Sequence, residues 1–359
     1  MMMKKTAVLV CLLLVSSMMV TTAAVSAKKP GTDPPDPGPT PTGTLYVLHP
    51  EDGTNWVWSM DPDGTNAAHD HEWSVGYQGW MMSRAQHGGF WWYVGWKAET
   101  GYYPDGQPRF HIYAAREDGQ NEVQVTTDDD MELNYLCIDP IWGHDDGYVS
   151  FSAMVWGTDG SGNDMVEEAG IYTVSLTWDA NGDISAVGTV GDPIYSCSVY
   201  TSPTGLRWPY ARDYMDWSPD GEKMAFMEWD PDVAGLNIMI YDTTSDSLST
   251  LTAGIYPKWS PDGKKIAFGG SGSHLYVINV DGTGITELVT AVSKKTQRGR
   301  VETWDWSPDS EFLSYHYKVT NTQTYNLIVN GVYVVSMSGS TDCVTDTWND
   351  GTIVNVGWR

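Results

Sequence analysis

The chain has 359 residues, 46 of them Asp or Glu and 20 Lys or Arg, for a net charge of −26. So acidic a chain is expected to lack the basic surfaces that nucleic acids and anionic membranes require. It leaves room for cationic partners and divalent metals, and it also serves plain solubility.

In chain order, Lys4 and Lys5 precede an apolar run from Ala7 to Val20, and Val25, Ser26 and Ala27 form a small-residue cleavage site. This is the layout of a secretory signal peptide over residues 1–27. The run is shorter than the ~20 apolar residues of a spanning helix, and Ser16 and Ser17 break it. No membrane span is expected once it is removed, and Cys11 has no lipobox before it. Residues 28–43 carry Pro30, Pro34, Pro35, Pro37, Pro39 and Pro41, which favour an extended polyproline spacer or a disordered leader. Residues 44–359 are the folded part, long for one ordinary domain but normal for a repeat architecture. Export makes a disulfide permissible. Cys137, Cys197 and Cys343 allow at most one, its pairing open, and none has zinc-type spacing. No Asn-x-Ser/Thr site occurs, which suits a prokaryotic protein, periplasmic or extracellular.

The folded part reads as short strands with turn signals. Residues 55–66 give a strand and an Asp/Gly turn, residues 110–125 another, and residues 171–183 a third. Strands near Gly79 and Tyr135 open the units that hold the last two. A long stretch, residues 192–212, has no such pattern and is expected to be a contact loop carrying Trp208 and Tyr210.

Repetition then becomes explicit. Trp217, Ser218, Pro219, Asp220 and Gly221 read WSPDG; Trp259, Ser260, Pro261, Asp262 and Gly263 repeat it; Trp306, Ser307, Pro308, Asp309 and Ser310 vary it. The spacing is that of one four-stranded propeller blade, roughly 40–50 residues. Pro presets φ for a turn, Asp suits the next position and Gly the exit. A strand should come next, with Met224 and Phe226 alternating with Lys223 and Ala225, and Ile266 and Phe268 with Lys265 and Ala267, the period of a half-buried strand. WSPDG, an IAF-type strand and then LYVINVDGTG resemble the repeat of TolB-like propellers, specifically over residues 213–338. The resemblance implies an all-β, six-bladed β-propeller of four-stranded antiparallel blades. The family's namesake carries an α/β domain ahead of its propeller, where this sequence has its proline tether. Strands near Gly79, Tyr135, Tyr214, Tyr256 and Thr303 open five blades. The sixth is split between a strand starting at Leu45 and the last residues, 352–358, which closes the ring and removes free sheet edges.

Chemistry-bearing patterns are sparse. There is no G-x-S-x-G elbow, Walker loop or H-E-x-x-H. His69, Asp70 and His71 are the tightest His/Asp cluster. On a regular strand both rings face one side and can share a metal, with His87, His111 and His144 as further donors, or the cluster is an exposed edge strand. Asp179, Asn181 and Asp183, like Asp159 and Asn163, alternate oxygen donors as a calcium loop does, without its Gly and Glu. Turns rich in Asp and Asn look the same. In the run Phe90, Trp91, Trp92, Tyr93 and Trp96, alternation sends Trp91 and Tyr93 to one face and Trp92 to the other, one of them open to solvent. Trp73, Trp80, Trp208, Tyr210 and Trp229 are the aromatic candidates for surface recognition. The expected function is a non-catalytic, monomeric binding scaffold for a protein or glycan. A metal-dependent lyase or glycan-processing enzyme and a structural surface component are the alternatives.

Overall fold

The repeated turn is built by its own side chains. Ser218 Oγ donates to Asp220 Oδ1 (2.6 Å) and accepts the Lys223 N–H (2.9 Å), while Asp220 Oδ1 accepts the Glu222 N–H (3.0 Å). The Ser218 hydroxyl and the Glu222 N–H hold the Asp220 carboxyl below the usual carboxylate range. Ser260 with Asp262, and Ser307 with Asp309, repeat the arrangement. Gly221 and Gly263 both sit at φ +71°, in the left-handed region. Ser310 takes the same place at φ +63°, and its hydroxyl accepts the Asp262 N–H of the preceding turn (3.1 Å). The departure from glycine thus latches two successive turns together.

A computed structural model of the chain describes residues 40–52, 54–72, 78–87, 90–102, 108–127, 135–158, 161, 164–196, 199–201, 207–209, 211–230, 234–345 and 355–359. The expected signal peptide and most of the tether lie outside these. Blade 1 contains β1 (Leu45–Glu51), β2 (Thr54–Met60) and β3 (Ala68–Glu72); blade 2, β4 (Gln78–His87), β5 (Phe90–Tyr102), β6 (Pro108–Arg116) and β7 (Val123–Gln124); blade 3, β8 (Tyr135–Trp142), β9 (Tyr148–Thr158), β10 (Asp164–Trp178) and β11 (Ile184–Val187). The long loop before blade 4 holds β12 (Tyr195–Ser196), which pairs with β10, and a hairpin, β13 (Val199–Thr201) with β14 (Arg207–Pro209). Blade 4 is β15 (Ala211–Trp217), β16 (Lys223–Asp230), β17 (Gly235–Asp242) and β18 (Ser247–Ala253); blade 5 is β19 (Ile255–Trp259), β20 (Lys265–Gly269), β21 (Leu275–Asn279) and β22 (Thr286–Val289). Blade 6 adds a short β23 (Ser293–Lys294) to β24 (Gln297–Trp306), β25 (Phe312–Asn321), β26 (Leu327–Ser336) and β27 (Thr341–Cys343).

The last strand, β28 (Asn355–Trp358), pairs antiparallel with β1, Leu45 opposite Trp358. The two termini of the fold thus share one sheet, and the protein is an all-β, six-bladed propeller of four-stranded antiparallel blades. Trp358 Nε1 donates to the Thr42 carbonyl (2.7 Å), and Arg359 and Thr44 exchange backbone bonds. No helix among the described residues is long and apolar enough to cross a membrane.

Packing corrects two expectations of alternation. Met224, Ala225, Phe226 and Met227 are all buried, as are Ile266, Ala267 and Phe268. These strands are not half-buried. Each blade is sandwiched between two others, so both its faces meet core. The same holds for Trp91, Trp92 and Tyr93, none more than 8% exposed. Trp92 packs with Val94, Phe151 and Val174, whereas Trp91 and Tyr93 join a cluster with Tyr46 of blade 1. Neither face of that run is open to solvent.

Candidate functional site

Every innermost strand from blade 2 to blade 6 is irregular. Its register with the second strand shifts between Gln78 and Ser83, Ile138 and Ile141, Arg212 and Asp216, Ile255 and Lys258, and Val301 and Trp304. Bulges re-aim side chains. Tyr214 (φ +66°) and Tyr256 (φ +57°) take left-handed conformations that bulky residues rarely adopt, and their rings meet edge to face at 4.1 Å. Beyond each bulge, the residue before the motif Trp is Asp216 in blade 4, Lys258 in blade 5 and Asp305 in blade 6. All three line a cavity of 560 Å³ at the channel end where the SPD turns lie, walled by Trp142, Trp217, Trp304 and Trp306 among others.

The two carboxylates close the ring from inside. Asp216 Oδ2 accepts the Trp259 N–H (2.6 Å), and Asp305 Oδ2 accepts the Trp358 N–H (2.8 Å), each reaching one blade onward. Lys258 cannot accept, and there the bond is replaced: Trp306 Nε1 donates to the Lys258 carbonyl (3.0 Å). The Lys258 ammonium stands 3.8 Å from Asp216 Oδ1 and 3.8 Å from Asp305 Oδ1. Burial pushes the Asp216 carboxyl up to about 6 against the pull of Lys258 and the Trp259 N–H, and Asp305 adds to the push. A fifth of the Asp216 side chain still faces the cavity (21% exposed). His144, also lining the cavity, has Nδ1 3.1 Å from the Tyr148 hydroxyl, and burial pushes that phenol up to about 12. The site can hold a narrow, partly apolar group between aromatic walls and offers it two carboxylates and one ammonium.

The residues singled out from sequence lie elsewhere. Val57 pairs with His71 and Trp58 with His69, so Asp70 is the extra residue of a bulge and the two histidines fall on opposite faces of β3. They do not converge. His69 stacks on Trp56 (4.2 Å) with Nε2 2.8 Å from Glu51, while His71 meets Asp70 and, through Nε2, the Tyr93 hydroxyl of blade 2 (2.9 Å). Asp179 closes a turn on the Asn181 and Asp183 N–H groups (2.8 and 3.0 Å), and Asp183 Oδ1 accepts from Asn121 Nδ2 (2.8 Å). Thr65 on Asp63, and Thr283 on Asp281, form turns of the same kind. Asp159 and Asn163 lie outside the described residues. Among the described ones, no group of three or more His, Cys, Asp and Glu is arranged to hold a metal. Trp73 and Tyr210 also lie outside the description. Trp80 is on β4 and Trp208 on β14. Trp229 is half-buried near the end of β16. The hairpin β13–β14 leads into β15 at the end away from the SPD turn, and β12 runs beside the middle of β10; none of the described residues of 192–212 lines the cavity.

No protein-family model matches the chain, and no curated protein does. Solved structures do. The putative TolB from Agrobacterium tumefaciens is 12% identical over 89% of this chain and 99% of its own (TM-score 0.48). TolB from Acinetobacter baumannii is 14% identical over 87% and 81% (TM-score 0.39). An oligogalacturonate lyase in complex with manganese is 13% identical over 73% and 83% (TM-score 0.38). Likeness at these identities concerns the fold alone.

Proposed function

We propose that this chain is an exported, non-catalytic propeller of the TolB-like kind that receives a protein or glycan partner at the SPD-turn mouth of its channel. The cavity supports this reading best. Its walls are aromatic, and both carboxylates already hold a neighbouring blade's backbone N–H, so their first task is structural. Lys258, 34% exposed and shared between the two carboxylates, is the cation that a guest at this mouth would meet. Concave, mostly apolar sites with a few convergent polar groups are where partners bind. The test is capture of partners from envelope and culture extracts with residues 28–359, comparing wild type with Lys258→Met. A specific, saturable partner lost in the variant, with the melt nearly unchanged, supports the reading. Equal capture by both sinks it. Removing residues 192–212 in parallel asks whether that loop also contributes.

A second reading is kept by one observation. A carboxyl near pKa 6 beside a lysine in a cavity is also how a general acid or base is tuned. Product formation from uronate-containing glycans that vanishes in Asp216→Asn would favour a glycan-processing enzyme. A metal-dependent version has lost its proposed anchor, because His69 and His71 sit on the outer strand of blade 1 and not in the channel.

A further inference from the structure

The net charge hides a local reversal. From Ala291 to Val301 and from Tyr317 to Gly331 there is no Asp or Glu, yet these stretches carry Lys294, Lys295, Arg298, Arg300 and Lys318. Both belong to blade 6, where β24, β25 and β26 run on as an extension at the end away from the SPD turns. The two loops at its tip are tied together: the Thr322 N–H donates to the Thr296 carbonyl (3.1 Å) and the Thr322 hydroxyl to the Lys295 carbonyl (2.8 Å).

Register sorts the two faces of this extension. Arg298 pairs with Thr320, which pairs with Leu327; Arg300 pairs with Lys318, which pairs with Asn330. Residues directly opposite each other share a face, so Arg298, Arg300, Lys318 and Leu327 lie together. Alternation along β25 puts Lys318 on the side of Phe312, which packs on Leu45 and Trp358 of blade 1. The other side, with Tyr317 and Val301, packs towards blade 5 and is covered by Val292, whose N–H donates to the Tyr317 hydroxyl (2.9 Å). The basic side is open: Arg298 and Arg300 are exposed and Lys318 is half-buried. No carboxylate of the described residues pairs with any of the five cations. Glu302, on the same side but deeper, is engaged with His316 (3.4 Å), and Glu51 of blade 1 with His69 (2.8 Å). Beside the cations stands Leu327 (40% exposed), with Ile328 (37%) at the bulge next to it and Tyr325 (84%) at the tip.

We propose that this side of the blade 6 extension docks an extended peptide segment of a partner protein in which acidic and apolar residues alternate. Arg298, Arg300 and Lys318 face sideways along the sheet, which suits a narrow chain better than a flat membrane, while Lys294 and Lys295 stand at the tip. Leu327 and Ile328 match apolar side chains and offer little to a hydroxylated sugar ring. Screening lets a local patch of this kind act despite a net negative molecule, since charges beyond about 8 Å count little at physiological salt.

The experiment is fluorescence anisotropy with a labelled peptide alternating glutamate and valine, titrated with the full chain. Wild type should bind saturably, and Arg298→Glu/Arg300→Glu/Lys318→Glu should bind roughly tenfold more weakly or worse. The milder Arg298→Gln/Arg300→Gln/Lys318→Gln variant, checked by its melt, should weaken binding in the same direction if the reversed variant folds poorly. Lys258→Met, at the opposite end, should bind the peptide as wild type does, which separates this surface from the channel mouth. The proposal is overturned by absent saturable binding or by equal binding of wild type and the neutral variant. It is also overturned if wild type binds phosphatidylglycerol vesicles or polygalacturonate but not the peptide.

Discussion

Blades 5 and 6 stand side by side and begin from the same turn, yet one has five-residue inner strands and the other ten-residue ones. In β20 four of five residues are buried, and in β25 the first five, Phe312 to His316, are buried while most of the rest are not. Five residues are therefore enough to make a blade. What blade 6 adds beyond them is surface, and that surface carries the cations that no described carboxylate pairs. The comparison separates two kinds of sequence in one repeat: the part that packs against neighbours, and the part that packing leaves unconstrained.

The sharpest way to test that separation is to cut into each part. Phe268→Ala, in the blade 5 core and 1% exposed, should cost about 3–5 kcal/mol in urea unfolding. Tyr325→Ala, at the blade 6 tip, should leave the melt unchanged. A large loss at Tyr325 would mean that the extension is part of the fold after all.

The turn itself offers a comparison between copies. A Cβ on Gly221 would stand 2.2 Å from the His144 ring, whereas one on Gly263 would meet nothing closer than Pro219 Cδ at 3.7 Å. Both sites carry the left-handed φ penalty. Gly221→Ala should therefore cost about 2–3 kcal/mol and Gly263→Ala about 1 kcal/mol. Equal losses would show that the backbone angle, and not the blade 3 contact, limits this position.

Of similar size to the larger of these is a pH effect at the cavity. Asp216 titrates near 6 in the fold, above the ordinary 3.8. A raised carboxyl binds its proton more tightly folded than unfolded, so this group's stabilising contribution is complete below about pH 4 and is lost as pH rises through about 6. Asp216→Asn, whose amide oxygen still accepts the Trp259 N–H, removes that slope. It should match wild type near pH 4 and exceed it by up to about 3 kcal/mol at pH 7.5. A variant that matches wild type near pH 4 but is weaker at pH 7.5 would indicate that the ion pair with Lys258 outweighs the burial of charge. The smallest effect is expected at Ser310→Gly, where relief of φ offsets loss of the bond to Asp262 within about 0.5–1 kcal/mol.

The sequence by itself determined the blade count, the turn and the closure. Turn chemistry in Ser-Pro-Asp-Gly is local, needing only residues within five positions of one another, and a repeat shows its length directly. The channel site was also within reach. Asp216, Lys258 and Asp305 each stand immediately before a motif Trp, a position made equivalent by repetition, although the recognisable turn chemistry begins only at the Ser after that Trp. Only the tertiary structure decided where side chains point. A single extra residue at Asp70 sends His69 and His71 to opposite faces, and no pattern in five residues of one strand reveals a bulge that exists only against its partner strand. The same holds for Trp91, Trp92 and Tyr93: alternation assigns them to two faces, but burial of both is decided by the blades on either side. Net charge, a sum over the whole chain, likewise carried no sign of the basic outer part of that face of blade 6. Pairing of β24 with β25 brings Arg298 and Arg300 beside Lys318 and turns scattered cations into one surface.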